Sequence, residues 1–266
     1  MATFNAEKVL PAAIASFQAQ TWPDKELLVA DGGSTDKTVS ILQQHNAIVA
    51  WWTSSPDQGF ADAWNRGIQH ASGDWLYFMG ADDEFCDPTT LELAAEQLAK
   101  IDQSQYIAYG NVELVRSDGM IGQRLGSAWN PSRFRQVCMS IPHQGTFHRR
   151  QLFEKYGLFE TSDRKTPTYE MLLRYLKNND AVYLKDLTVG RMGFGGMSTQ
   201  PKNQLLFYKA YIKAQKKHGT YCFNAELFFR LFQGACKQAI YKYLGDQRAS
   251  ALVNFTRRLV GKEALG

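Results

Sequence analysis

Over its first two hundred residues the chain alternates short runs of β-branched, aromatic and aliphatic residues with stretches of helical periodicity. That alternation restricts it to an α/β architecture built on a parallel sheet. Strands are expected at 27–30, 49–53, 75–79 and 106–115, with helices at 6–20, 36–45, 59–71 and 89–100 between the early ones. Thr35 or Asp36 is placed to cap the second helix, and Asp87-Pro88 to open the fourth. Beyond residue 130 the order changes. Helical pieces at 132–139, 148–155 and 169–178 precede an extended stretch at 181–189 and a glycine-rich turn, Gly193, Gly195 and Gly196, which reads as a hinge or flap. From Asn203 the pattern is helical, with Leu205, Tyr208, Tyr211 and Ile212 on one face and Lys209, Lys213, Lys216 and Lys217 on the other. Further helices are expected at 225–244 and 248–260, the first carrying Leu227, Phe228, Leu231 and Phe232 as one apolar face.

A chain of 266 residues, 44% of them hydrophobic, buries a full core without covalent staples. Its four cysteines, Cys86, Cys138, Cys222 and Cys236, form no CxxC pair and no zinc-spaced cluster, so they read as reduced and the compartment as cytoplasmic. No apolar run reaches the roughly 18 residues of a membrane span, and the N-terminus lacks a secretory pattern. Charge is unevenly spread. Residues 201–266 hold 12 Lys/Arg against 3 Asp/Glu, a surplus of +9, whereas residues 1–200 hold 18 against 23, or −5. A basic tail on a mildly acidic body points to an anionic partner, a nucleic acid or a membrane surface.

In open α/β sheets ligands sit beyond the carboxyl ends of the strands. Two of those ends are acidic: one runs into Asp31-Gly32-Gly33-Ser34-Thr35-Asp36, the other into Gly80-Ala81-Asp82-Asp83-Glu84. Adjacent carboxylates after an apolar strand raise each other's pKa, and a divalent cation removes that cost. Magnesium and manganese suit such a site, taking one or two carboxylates and completing their shell with water and phosphate oxygens. Asp82 and Asp83 equally fit a helix cap or a solvated turn, and Asp31-Gly32-Gly33 an ordinary strand-to-helix turn. Neither a G-x-G-x-x-G fingerprint nor a P-loop is present, which counts against dehydrogenases and NTPases.

Six blocks in order resemble the family 2 glycosyltransferases of the GT-A fold, in particular bacterial members that build surface polysaccharides. They are Thr3-Phe4-Asn5-Ala6-Glu7, residues 31–36, Ser55-Pro56-Asp57-Gln58-Gly59 with Asp62-Ala63-Trp64-Asn65-Arg66-Gly67, Gly80-Ala81-Asp82-Asp83, His143-Gln144-Gly145-Thr146-Phe147, and Gly195-Gly196-Met197-Ser198. The resemblance implies a nucleotide-sugar-binding sandwich over 1–200, with a donor half at about 1–100 and an acceptor half at about 101–200, followed by a helical C-terminal extension at 201–266. It implies that Thr3, Phe4, Asn5 and Glu7 border the nucleobase and that Asp31, with Gly32, contacts it. Asp62, Asn65 and Arg66 would lie along the diphosphate and donor sugar, Asp82 would touch ribose or sugar, and Asp83 would hold Mn²⁺ or Mg²⁺. His143 is implied to touch acceptor or diphosphate, or to be structural. His148 reads as structural.

Two departures follow. The family places an aspartate where this chain has Thr168, in Thr168-Tyr169-Glu170-Met171-Leu172-Leu173-Arg174, so Glu170 or Asp163 supplies the general base or the chain is impaired. The family also has an apolar strand ahead of Thr3, where here only Met1 and Ala2 stand; a missing central strand would expose two neighbouring edges. The expected activity is metal-dependent, inverting transfer from a nucleotide-diphosphate donor, UDP favoured, to a saccharide or lipid-linked acceptor in polysaccharide biosynthesis. It is placed peripherally on the inner face of the cytoplasmic membrane. The rival is a catalytically impaired nucleotide-sugar-binding protein. Nucleic-acid binding is set aside, because Tyr208, Tyr211, Tyr241 and Tyr243 fall at helical spacing and no nucleic-acid motif accompanies them.

Overall fold

The computed structural model describes residues 1–116, 119–193 and 200–259, with side chains to Arg257. Its first half contains β1 (Ala2–Thr3), α1 (Leu10–Gln18), β2 (Leu27–Asp31), α2 (Thr38–Gln44), β3 (Val49–Ser54) and α3 (Phe60–His70). The three strands form a parallel sheet in the order β1-β2-β3. β2 is apolar and almost wholly buried, as a parallel strand covered on both faces must be. Leu10, Ala13, Ile14 and Phe17 give α1 one inward stripe, and Pro11 fits its first turn, where no intrahelical N–H bond is lost. At α2 the Asp36 carboxylate accepts from Thr38 N at 2.9 Å, the local turn expected of a capping aspartate.

The second sheet is mixed. It is built from β4 (Trp75–Tyr77), β5 (Glu84–Phe85), then, after α4 (Thr90–Leu98), β6 (Ile107–Val115) and β7 (Ile121–Leu125). After α5 (Pro131–Gln136) come β8 (Thr146–Arg149), α6 (Gln151–Tyr156), α7 (Pro167–Leu176) and β9 (Val182–Gly193). The strand order is β4-β8-β6-β9-β5, with β7 paired to β6. Two expectations are corrected here. The strand expected at 75–79 stops at Tyr77, and the helix expected at 148–155 begins at Gln151, because His148 and Arg149 are in β8, antiparallel to both β4 and β6. Gly193 ends β9, while Gly195, Gly196, Met197 and Ser198 lie outside the described residues.

The two sheets meet at one parallel bridge, Ala2 to Gly80. Below it, where β2 has only β3 and β4 has only β8 as neighbours, a cavity of about 650 Å³ opens between the strands, lined by Met1, Leu28, Ile68, Trp75, Leu91 and Leu98 among others. The two facing edges anticipated from the short N-terminus are thus present. Met1 carries its amine to Leu28 O at 2.6 Å, and burial pushes that amine down to about 5.

The tail consists of α8 (Gln204–His218) and α9 (Ala225–Leu259). α9 breaks at Gly245, whose φ of 73° and ψ of 165° are outside the helical region, so the tail is three helical pieces. α8 packs on α7 through Tyr169, whose ring lies 4.8 Å from that of Tyr211 and whose hydroxyl accepts from Gln215 at 3.0 Å. The apolar face expected at 227–232 is split: Leu227 and Leu231 turn inward against Val137, Cys138 and Tyr208, while Phe228 and Phe232 are exposed.

Candidate functional site

The loops after β1, β2 and β4 converge at the carboxyl ends of the parallel strands. Thr3 is buried and its carbonyl accepts Gly32 N at 2.9 Å; Phe4 beside it is 62% exposed. Asn5 adopts φ of 47°, a left-handed conformation that asparagine tolerates. Its N–H donates to Ser34 Oγ at 2.7 Å and its side-chain oxygen accepts Thr35 N at 2.9 Å. Glu7 accepts Lys37 N at 3.1 Å. Asn5 and Glu7 therefore lace the first loop to the second, leaving Phe4 as the free surface.

Asp31 is fully buried. Its carboxylate accepts Gly33 N at 3.1 Å, Ser34 N at 2.8 Å, Ser54 Oγ at 2.6 Å and the Ser34 hydroxyl. A carboxylate holding four donors shapes the loop that follows β2. The sequence reading missed Asp57. A Cβ placed on Gly32 would lie 2.8 Å from Asp57 Oδ2, while Asp57 Oδ1 accepts Gly59 N at 2.7 Å. The signal lay in the glycine: Gly32 leaves space beside the strand end that a residue 25 positions on fills.

On α3 the expected donor contacts are divided. Asp62 and Arg66 form an i, i+4 pair at 3.1 Å, and Arg66 also donates to Pro56 O at 2.9 Å and to Ser55, pinning the third loop. The Asn65 amide donates to Phe159 O at 2.8 Å and accepts Phe159 N at 2.9 Å. It ties α3 to the segment between α6 and α7.

After β4, Asp83 is buried and accepts Gly80 N at 2.8 Å; Asp82 is exposed. A Cβ on Gly80 would stand 2.8 Å from Asp82 Oδ1 and 2.9 Å from Asp83 Oδ2, so the two carboxylates converge over a residue that must be glycine. Burial pushes the Asp83 carboxyl up to about 7, opposed by the Gly80 bond and helped by Asp82. Among the described residues no three His, Cys, Asp or Glu are gathered for a metal. The Asp82–Asp83 pair nonetheless fits a cation that takes one or two carboxylates and finds its remaining ligands on a diphosphate.

The acceptor-side candidates fare differently. His143 is buried, its ring 5.1 Å from that of Trp64 and 5.9 Å from that of Phe78, and burial pushes it down to about 3. Burial among these aromatic rings keeps the imidazole neutral. Glu170, in the first turn of α7, is held by Arg174 at 2.6 Å, His218 at 2.7 Å and Lys217 at 3.0 Å. Burial alone would raise its pKa, but these partners outweigh it and hold the carboxyl down to about 2. Such a carboxylate is a poor base. Asp163 is less committed, accepting Lys165 N at 3.0 Å with Lys213 at 3.9 Å, and Thr168 is half-buried at the start of α7.

The Glycosyl transferase family 2 model matches residues 1–156. A PGL/p-HBAD biosynthesis glycosyltransferase of Mycobacterium bovis is 34% identical over 207 residues, 74% of this chain and 76% of the relative. The Escherichia coli UDP-Glc:alpha-D-GlcNAc-diphosphoundecaprenol beta-1,3-glucosyltransferase WfgD is 31% identical over 124 residues, 46% of this chain and 48% of that protein. The mannosyltransferase PcManGT from Pyrobaculum calidifontis, solved with GDP-Man and Mn²⁺, superposes with a TM-score of 0.63 at 17% identity, covering 97% of this chain and 78% of that one. A parallel sheet ending in the Asp31 loop, paired carboxylates over Gly80 and a match across more than half the sequence lead to one assignment: the chain belongs to glycosyl transferase family 2, a glycosyltransferase of the GT-A fold.

Proposed function

We propose that this enzyme transfers a sugar, with inversion, from a UDP-sugar to a saccharide or lipid-linked acceptor in polysaccharide assembly, using Mn²⁺ or Mg²⁺. The convergence of Asp82 and Asp83 over Gly80 carries the reading, because it lies one backbone bridge from the first donor loop. The exposed Phe4 ring offers a stacking face for the base, with Gly32 and Asp57 at its edge. Asp83 would hold the cation and Asp82 the ribose or sugar. The cation supplies charge stabilisation to the departing diphosphate. Asp62 and Arg66 fix the Ser55–Pro56 loop that would border it.

In the chemical step the acceptor hydroxyl loses its proton as its oxygen bonds to the anomeric carbon, and the anomeric carbon's bond to the diphosphate oxygen breaks. Asp163 is the carboxylate we assign to that proton, since Glu170 is engaged by Arg174, Lys217 and His218. The lipid-linked acceptor is favoured by the diphosphoundecaprenol substrate named for WfgD. A lipid-linked acceptor would put the site of action at the cytoplasmic face of a membrane. No described helix is long and apolar enough to cross one.

A second reading, donor binding without transfer, is favoured by Thr168 at the position of the family aspartate. Thermal shift and turnover with UDP-, GDP- and CDP-sugars, with and without manganese, separate the two. A UDP-sugar that raises Tm only with manganese and is consumed supports transfer. Binding without consumption supports the second reading, and no binding removes both.

A further inference from the structure

Part of the outward face of α9, from 228 to 239, carries no charge where a solvated helix would. Every exposed residue from 228 to 239 is uncharged, and Phe228, Phe229 and Phe232 are 58%, 56% and 58% exposed. With Ala235, Ala239 and the 80%-exposed Tyr243 they form a stripe at i, i+3/i+4 spacing, about 22 Å long. Inward packing does not account for it, since Leu227 already fills that role. The stripe continues into the turn between α8 and α9, where Phe223 is 60% exposed and its ring meets that of Phe228 at 6.2 Å. Asn224 fixes this corner by accepting Leu227 N at 2.9 Å.

From this surface we infer that the α8–α9 corner and the Phe stripe seat in the interface of an anionic membrane. Charge selects that occupant. The tail carries a surplus of +9, Lys209, Lys213 and Lys216 are exposed along α8, and Lys216 lies 5.0 Å over the ring of Tyr221 at the corner itself. Aromatic rings beside lysines match a headgroup layer bearing negative charge. Two copies of this basic tail, by contrast, repel one another when brought face to face. The position matters as much as the chemistry. The same end of α8 reaches the acceptor half through His218 and Lys217 on Glu170, and Lys213 stands 3.9 Å from Asp163. A bilayer at the corner therefore lies beside the acceptor side, where a lipid-linked hydroxyl has to arrive. This rests on the lipid-linked acceptor proposed above.

The test is co-sedimentation of the full chain, without donor or acceptor, with phosphatidylcholine vesicles that contain or lack phosphatidylglycerol, at low and high salt. The expected result is binding that needs phosphatidylglycerol and weakens with salt. The triple variant Phe228→Ser, Phe229→Ser, Phe232→Ser should bind at least about tenfold more weakly, with unchanged Tm and UDP affinity. Lys209→Glu with Lys216→Glu should also weaken it. No binding by the parent, equal binding to neutral vesicles, or undiminished binding by the triple variant overturns the inference. A dimer in sedimentation velocity that the triple variant dissolves, with no vesicle binding, overturns it in favour of self-association. Vesicle binding by a protein with no UDP affinity would leave this surface standing and remove the transferase reading instead.

Discussion

Asp57 holds one carboxylate oxygen 2.8 Å from the point where a Cβ on Gly32 would lie, so a side chain from the third loop occupies space the second loop leaves empty. Its other oxygen is held by Gly59 N at 2.7 Å, which aims the free one over the strand end. A carboxylate there accepts from an imide N–H, as on uracil, and repels a ring nitrogen that is itself an acceptor, as on cytosine.

Gly32→Ala displaces Asp57 without straining the backbone. UDP affinity should fall about tenfold while Tm shifts little, because only the end of a flexible side chain has to move. Asp57→Asn should narrow the preference for UDP over CDP, since an amide can donate as well as accept. Calorimetric titration with both nucleotides checks this, and an unchanged preference would place the base elsewhere.

Asp83 has its pKa raised to about 7, so in the metal-free protein the folded state keeps its proton while the unfolded state has lost it above about pH 4. Stability contributed by this group is complete at low pH and falls as the pH rises toward 7. Asp83→Asn should thus raise Tm by a few degrees at pH 8 without metal, and should abolish the manganese-dependent shift with UDP. Manganese affinity of the parent should weaken below pH 7. A variant that still binds UDP with manganese as the parent does would refute the assignment.

The two carboxylates of the acceptor side separate by experiment. Asp163→Asn should lower kcat by about 10²- to 10⁴-fold with donor affinity unchanged. Glu170→Gln should mainly destabilise. Glu170 is held down to about 2, so its contribution is complete above about pH 4 and disappears as the pH falls toward 2. The Gln variant should lose Tm at pH 7 and show a flatter acid limb. Equal kcat in parent and Asp163→Asn would return the base to Glu170 or to no residue, and a large gain from Thr168→Asp would mark the natural chain as impaired.

The cavity between β2 and β4 opens between two strand edges and is lined by Leu28, Ile68, Leu91 and Leu98 beside the polar Glu26, Asp74 and Arg149. Adding about four residues rich in valine and isoleucine ahead of Met1 should fill it, pair both edges and turn the buried amine into an amide. Each buried side chain contributes about 1.5–3 kcal/mol against about 1–2 kcal/mol for ordering its residue. Tm should rise by several degrees and Trp75 fluorescence should move to the blue, neither occurring with a Gly-Ser extension of equal length. A fall in Tm would show that the walls do not accept a strand.

Much of the donor half was legible because its rules are local. The apolar run at 27–30, the helical stripe of α1 and the acidic strand ends declare themselves within a few residues. The acceptor half was not, because its partners are remote. Asn65 looks like any polar helix residue until Phe159, 94 positions away, takes both ends of its amide. The helix expected at 148–155 took in His148 and Arg149, the last two residues of β8, where His148 is fully buried between β4 and β6. Helical spacing grouped Leu227 with Phe228, although adjacent residues on a helix lie about 100° apart and only packing decides which turns inward. Asp31 was legible as the end of an apolar strand, but the Ser54 hydroxyl that reaches it from β3 was not.

Gly80 occupies two positions at once: its backbone bridges Ala2, and its N–H is held by Asp83 beneath the Asp82 carboxylate. The seam between the sheets and the seat for a cation are therefore the same few atoms. Drawing the carboxylates together tightens the seam, and prising the sheets apart scatters the carboxylates. Ligand occupancy and the cohesion of the two halves become a single mechanical variable. A cation bound there would work as a rivet as well as a charge, and amide exchange around Ala2 and Gly80 would gauge how full the site is.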